Sequence, residues 1–266
     1  MQKLELNKVH LKVVENGRGA ETLVLLHGLL FSHRMFDAQV EYLKDRFRCV
    51  RMDFRGQGES EVTDSGYDLD TLTDDVIALI ETLDAEAVHL LGFSMGGMVA
   101  QRVALKRPEL LKSLVLMNTS AEAELKRKRP RFALLNLAAR FIGLEYIAPK
   151  VLPLMFSDSF MEEAGHATER ERWISVVTDN DRVGISRAVQ GVVSRRSILD
   201  RIQAIKLPTL IITADQDRAT PPIRAQNIHY RIRGSTLATI ENSGHMTLVE
   251  QPGAVKRALM SFYGSP

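Results

Sequence analysis

The chain has a single cysteine, Cys49, in 266 residues. One thiol excludes an internal disulfide and a cysteine-rich metal cluster. Its setting, Phe47-Arg48-Cys49-Val50-Arg51-Met52, reads as a small apolar residue on a buried strand. Charge of one sign is also missing. Thirty-five Lys and Arg stand against 33 Asp and Glu, a formal net of +2, too balanced to suggest a nucleic-acid binder or a membrane-surface protein. No run approaches the roughly 18 consecutive apolar residues of a spanning helix. The start, Met1-Gln2-Lys3-Leu4-Glu5-Leu6-Asn7-Lys8, alternates polar and apolar residues and lacks the apolar core of a secretion signal. These absences lead to the expectation of a cytoplasmic protein with a small-molecule partner, no nucleic acid and no membrane span. Internal repeats and low-complexity segments are absent too, and at 45% hydrophobic the chain can bury one substantial core.

What is present is an alternation of strand and helix patterns. Residues 3–15 read as a hairpin-like pair of strands; 22–26, 47–52, 87–91 and 111–117 read as short apolar strands. Helical spacing covers 35–45, with Phe36, Val40 and Leu43 on one face, and 69–83, where Leu72, Val76, Leu79, Ile80 and Leu83 align. Residues 98–106 form a helix that Pro108 ends. After residue 206 the alternation resumes as strand 208–213, helix 222–232, strand 236–240 and helix 252–262. Repeated β-α units predict an α/β fold with a mostly parallel sheet covered by helices, with ligands gathering at the C-terminal strand edge. Between 120 and 206 helical periodicity dominates, which predicts an all-helical insertion. The expected core is therefore 1–119 with 207–266, and the insertion 120–206. Lys126-Arg127-Lys128-Arg129-Pro130-Arg131 opens that insertion and reads as a solvated helix start or loop, with attraction of an anionic substrate as the other reading.

Gly92-Phe93-Ser94-Met95-Gly96-Gly97 places a serine on a turn between a buried strand and a helix. A serine on so sharp a corner has a strained backbone, and side chains two residues to either side would collide, so glycines at 92 and 96 have a physical reason. A serine hydroxyl is a poor nucleophile at neutral pH and needs a base, with a carboxylate to orient that base. Among the seven histidines, His245 follows the last strand on the glycine-hinged loop Ser243-Gly244-His245, at the same sheet edge as Ser94. His10 and His89 lie within strands, His166 and His229 in helical regions, and His33 lacks comparable context. Asp215 and Asp217 both follow the strand ending at Thr213. Asp217 lies further along the loop, before Pro221-Pro222, whereas Asp215 could brace the loop or cap. Developing negative charge on a substrate oxygen calls for preorganised donors. Met95 N–H, at a helix N-terminus, is one, and Leu29 N–H, in the loop His27-Gly28-Leu29-Leu30, is the second. His27 then reads as a residue that braces this loop.

These residues resemble the α/β-hydrolase family. His27-Gly28, Asp53-x-Arg55-Gly56-x-Gly58-x-Ser60, Gly92-x-Ser94-x-Gly96-Gly97, Asp217 before a Pro pair, and Gly244-His245 occur in the family's order. The resemblance favours Asp217 as the acid and implies that 120–206 is a helical cap over the pocket, that no cofactor or metal is needed, and that Asp53–Ser60 is a structural loop. Serine at 94 argues against a haloalkane dehalogenase, whose nucleophile is a carboxylate. The segment around Ser94 is most similar to small cap-bearing carboxylesterases and 3-oxoadipate enol-lactonases, which implies a serine hydrolase acting on a carboxylic ester or lactone through an acyl-enzyme. Carbon–carbon bond hydrolysis, perhydrolysis, and a non-catalytic ligand receptor on the same fold are the alternatives. The apolar residues of 132–156 suggest a hydrophobic pocket roof, with packing of the cap onto the core as the other reading.

Overall fold

The computed structural model of the protein describes residues 2–264. Its strands are β1 (Gln2–Leu6), β2 (Val9–Asn16), β3 (Glu21–Leu26), β4 (Phe47–Met52), β5 (Val88–Phe93), β6 (Leu111–Met117), β7 (Thr209–Ala214) and β8 (Thr236–Ile240). They form one sheet in the order β1-β2-β4-β3-β5-β6-β7-β8. The first two pairings are antiparallel and all others parallel. Successive side chains of a strand point to opposite faces, and the apolar runs sort accordingly. Val24, Leu26, Leu90, Leu114 and Leu116 enter one core, while Leu23, Leu25, Leu91, Val115 and Met117 enter the other. A strand buried on both faces has to be apolar throughout, which is why these runs do not alternate. Cys49 lies in the second core, fully buried, and burial pushes its thiol up to about 12, so it packs as an inert apolar group.

Helices cover both faces. The first are α1 (Asp37–Leu43), α2 (Leu69–Thr82) and α3 (Met95–Lys106). Asp68 caps α2 by accepting from the N–H groups of Asp70 and Thr71, and Leu72, Val76, Leu79 and Ile80 face the core. The starts of two helices shift. The first turn before α1, His33–Phe36, is a tighter 3-10 turn fixed by Ser32, and α3 begins at Met95, three residues earlier than its apolar spacing predicts. Gly96 and Gly97 weaken the helical signal there, but tertiary contact overrides propensity: Met95 to Ala104 are all buried.

Between β6 and β7 the chain is helical: α4 (Arg129–Phe141), α5 (Leu144–Met155), α6 (Asp158–Glu162), α7 (Ala167–Thr178) and α8 (Arg182–Ser194). Leu144, Ile147, Leu152, Phe156 and Trp173 from this stretch join the second core, with the Trp173 ring edge-on to Phe31 at 5.4 Å. The chain closes with α9 (Pro222–Arg231), α10 (Thr247–Glu250) and α11 (Pro252–Tyr263). Among the described residues no helix is long and apolar enough to cross a membrane.

The loop after β3 is braced from inside. His27 is fully buried; its Nδ1–H donates to Gly28 O at 2.7 Å and its Nε2 accepts from Phe54 N–H at 2.9 Å. That pattern uses the neutral ring. Burial holds His27 below the ordinary value of 6.5, outweighing the charge of Asp53. The unfolded chain takes up this proton as pH falls through 6.5, whereas the folded chain resists it. Stability from this group is therefore present above 6.5 and lost below, by up to about 1.4 kcal/mol per pH unit. Urea unfolding at about pH 7.5 and about pH 5.5 should show a steeper loss for wild type than for His27→Asn, which is weaker throughout but lacks this proton. Parallel losses in the two proteins would refute the assignment.

Candidate active site

The C-terminal ends of β3, β5, β6, β7 and β8 meet at one sheet edge, and Leu29, Ser94, Asp217 and His245 lie on the turns that leave it, with Met95 at the start of α3. Ser94 occupies the corner between β5 and α3 with φ 51° and ψ −115°, in the left-handed half of backbone space where a non-glycine residue is strained. Neighbouring groups hold it there. Ser94 N–H donates to Met117 O at 2.9 Å, and Ser94 O accepts from Thr119 Oγ1 at 2.6 Å and Met98 N–H at 3.0 Å. The corner is also crowded. A Cβ on Gly96 would lie 2.2 Å from Leu26 O, and one on Gly92 would lie 2.4 Å from Gly96 O, so neither position tolerates a side chain.

The structure brings Ser94, His245 and Asp217 into one hydrogen-bonded line. Ser94 Oγ is 2.9 Å from His245 Nε2, and His245 Nδ1 is 2.8 Å from Asp217 Oδ2. His245 is 1% exposed and Asp217 3%, while Ser94 is half-buried, so the serine is the member of the line that opens to solvent. Asp217 accepts three further bonds: Thr220 N–H at 2.7 Å on Oδ1, then Thr220 Oγ1 at 2.8 Å and Asn118 Nδ2 at 3.0 Å on Oδ2. Burial pushes its carboxyl up, but His245 and these donors prevail and hold it below 3.8. A carboxylate so held can fix one tautomer of the ring, leaving Nε2 to accept a proton from Ser94.

Asp215 has a different task. Its carboxylate accepts from Asn242 N–H at 3.1 Å and Ser243 N–H at 3.2 Å, which ties the loop bearing His245 to the end of β7. Asp217, the acid that the resemblance favours, therefore meets the ring, and Asp215 braces the loop that carries it.

Leu29 and Met95 line the same cavity, and their N–H groups donate to no protein acceptor among the described residues. The Leu29 loop is itself under strain, because Leu30 has φ 75°. Gln57 Oε1 accepts from Leu30 N–H at 2.9 Å and Asn180 Nδ2 donates to Leu30 O at 3.0 Å, which fixes that conformation. Two free amides beside a serine hydroxyl are chemically suited to an oxygen that gains negative charge. The Asp53–Ser60 loop, which supplies Gln57, also braces the turn after Leu30. Asp53 accepts from His33 N–H, and from Glu59 N–H at 2.9 Å, with His33 Nδ1 at 2.9 Å.

Several contributors escaped the sequence analysis. Asn118 sits just past β6 with φ 46° and joins Asp217 to Thr247; a polar cluster, Asn118-Thr119-Ser120, at the end of a buried strand was the available signal. Glu250 had none. Its Oε1 accepts from Gly244 N–H at 2.9 Å and its Oε2 from Ser157 N–H at 3.0 Å, so one carboxyl links the His245 loop to the helical insertion. Burial raises its pKa despite these two bonds. Met246 N–H donating to Met155 O at 2.7 Å makes a second link.

Above Ser94 lies a cavity of about 230 Å³. Leu29, Met95, Met98 and His245 form its floor, and Leu135, Ile147, Val151 and Val189 are among the apolar side chains of the helical stretch that wall it. Lys128 and Arg131 also border it, and Arg131 is exposed, so the cavity reaches the surface near the start of α4.

Comparison with known proteins agrees with this architecture. The chain is 30% identical over 262 residues to the AB hydrolase superfamily protein YisY of Bacillus subtilis, covering 97% of this chain and 96% of that protein. It is 28% identical over 240 residues to 3-oxoadipate enol-lactonase 2 of Acinetobacter baylyi, covering 89% and 86%. The solved structure of a thermophilic esterase from Thermogutta terrifontis superposes with a TM-score of 0.90 at 26% identity, covering 98% of this chain and 97% of that one. The family model described as alpha/beta hydrolase fold matches residues 21–252, which spans the sheet edge, the turns and the helical stretch described above, and the chain belongs to that family.

Proposed function

We propose that the protein is a serine hydrolase that cleaves a carboxylic ester or lactone through an acyl-enzyme. The observation that carries this reading is the Ser94–His245–Asp217 hydrogen-bonded line at the floor of an apolar cavity. Ser94 Oγ attacks the substrate carbonyl carbon while His245 Nε2 takes the hydroxyl proton. Negative charge moves to the carbonyl oxygen, where the Leu29 and Met95 amides receive it. The tetrahedral intermediate collapses, the carbon–oxygen bond to the alcohol breaks, and His245 returns its proton to the leaving oxygen. In a lactone that alcohol stays tethered to the acyl group. Water, deprotonated by the same ring, then attacks the acyl-enzyme and releases the acid. Asp217 stays ionised and stabilises the imidazolium formed in each half of the cycle. No step calls for a cofactor.

The similarity to an enol-lactonase and an esterase supports the same bond class. Residues 120–206 serve as the cap in this reading: apolar side chains of α4, α5 and α8 wall the cavity, so shape and hydrophobicity there select the acyl and alcohol groups.

With short p-nitrophenyl esters, Ser94→Ala should lower kcat on the order of 10⁴-fold or more, and undiminished turnover by the purified variant would refute the nucleophile. The two acids separate by the same assay. Asp217→Asn leaves the ring free to take the wrong tautomer and should cost on the order of 10⁴-fold in kcat. Asp215→Asn should cost less than about tenfold, mostly through a looser loop. A larger loss at 215 than at 217 would overturn the division of roles.

A further inference from the structure

The helix that walls the cavity is apolar on two sides. Phe132, Leu135 and Ala139 of α4 face the cavity, whereas Leu134, Leu137 and Phe141, spaced three and four apart on another face, point to solvent. Phe141 is 69% exposed and Leu134 69%, and Ile142 and Tyr146 extend the patch into α5. Among the described residues the other large exposed apolar side chains, Val62, Leu125, Ile223 and Tyr230, are scattered in sequence. A contiguous apolar patch on an otherwise amphipathic surface marks an interaction site.

Charge around the patch selects its partner. Residues 125–144 contain Lys126, Arg127, Lys128, Arg129, Arg131 and Arg140 and no acid. The preceding acids are occupied, Glu122 by Arg224 and Glu124 by Arg195 at 3.3 Å. The first acid that follows is the exposed Glu145. Lys150 adds a further base, its Nζ 3.2 Å from the centre of the Tyr146 ring. The near-zero net charge of the whole chain conceals this local excess. A second copy of the chain packed on the patch about a two-fold axis would set the basic runs against each other without counter-charge. A surface that accepts apolar side chains between anionic groups satisfies both features.

We propose that the outer face of α4 and the start of α5 dock on an anionic lipid surface, with Leu134, Leu137, Phe141 and Ile142 entering the headgroup boundary and the basic run lying on the phosphates. Arg131, on the rim of the cavity, then brings the cavity mouth beside the lipid. Binding of this kind is peripheral and reversible, and it does not depend on the reaction assigned to Ser94.

Co-sedimentation with vesicles of phosphatidylcholine mixed with phosphatidylglycerol, beside pure phosphatidylcholine, tests the proposal at low and high salt. The full chain should partition to the anionic vesicles and be released by salt. Each of Lys126→Gln, Arg127→Gln and Arg129→Gln should lower the partition coefficient roughly fivefold, and Leu137→Ser with Phe141→Ser roughly tenfold or more. Thermal unfolding by circular dichroism checks each fold; the charge variants, all at exposed positions, carry the test if the apolar pair unfolds. Three results overturn the proposal: no sedimentation with anionic vesicles, equal binding to pure phosphatidylcholine, or a wild-type dimer in light scattering that Leu137→Ser with Phe141→Ser dissociates.

Discussion

The structure turns on the backbone corner at Ser94. A residue held at positive φ costs of the order of 1–3 kcal/mol, and it persists only because its surroundings allow no other course. The glycines at 92 and 96 let β5, α3 and the end of β3 approach more closely than any side chain would permit, with Leu26 O only 2.2 Å from where a Gly96 Cβ would stand. Met117 and Thr119, at the end of β6, hold the serine backbone from the other side. The corner therefore depends on three neighbouring strands at once, and the serine hydroxyl is presented by the rigid core of the sheet.

Around that corner the polar groups fall into two sets. One is the line from Ser94 to Asp217, in which a buried carboxylate is satisfied by Asn118 and Thr220 as well as by His245. Such a network fixes a ring orientation at low reorganisation cost, which is what a proton relay requires. The other set joins core to helical stretch. Glu250 takes Gly244 N–H with one oxygen and Ser157 N–H with the other, and Asn180 holds Leu30. Both links reach loops that carry site residues, so the helical stretch bears on the geometry of the floor as well as on the walls of the cavity.

Much of the fold was legible in the sequence because its strands are short apolar runs between turn residues. Leu111–Met117 and Thr236–Ile240 begin and end where those runs do. Ser94, Asp217 and His245 were legible for a related reason: each follows a strand of a parallel sheet, and parallel strands deliver their following turns to one edge. The task of Asp215 was less legible. Both acids leave the same strand, the resemblance favours Asp217 for the ring, and the positions of Asn242 and Ser243 in space are what make Asp215 a loop brace. Gln57, Asn180 and Glu250 were beyond reach, since each has at least one backbone partner distant in the chain and none lies in a pattern that names it. The basic run at 126–131 had a clear sequence signal, but the exposure of its apolar neighbours Leu134, Leu137 and Phe141 did not, because composition gives no sign of which side chains face solvent.

Whether Ser94 is a nucleophile activated by its place in this geometry is read out by exposing the protein to a p-nitrophenyl alkylphosphonate, followed by intact-mass measurement and peptide mapping. One phosphonyl group per chain is predicted, on the peptide containing Ser94, with release of nitrophenolate. Absence of an adduct, or modification of another residue with Ser94 intact, would contradict that role.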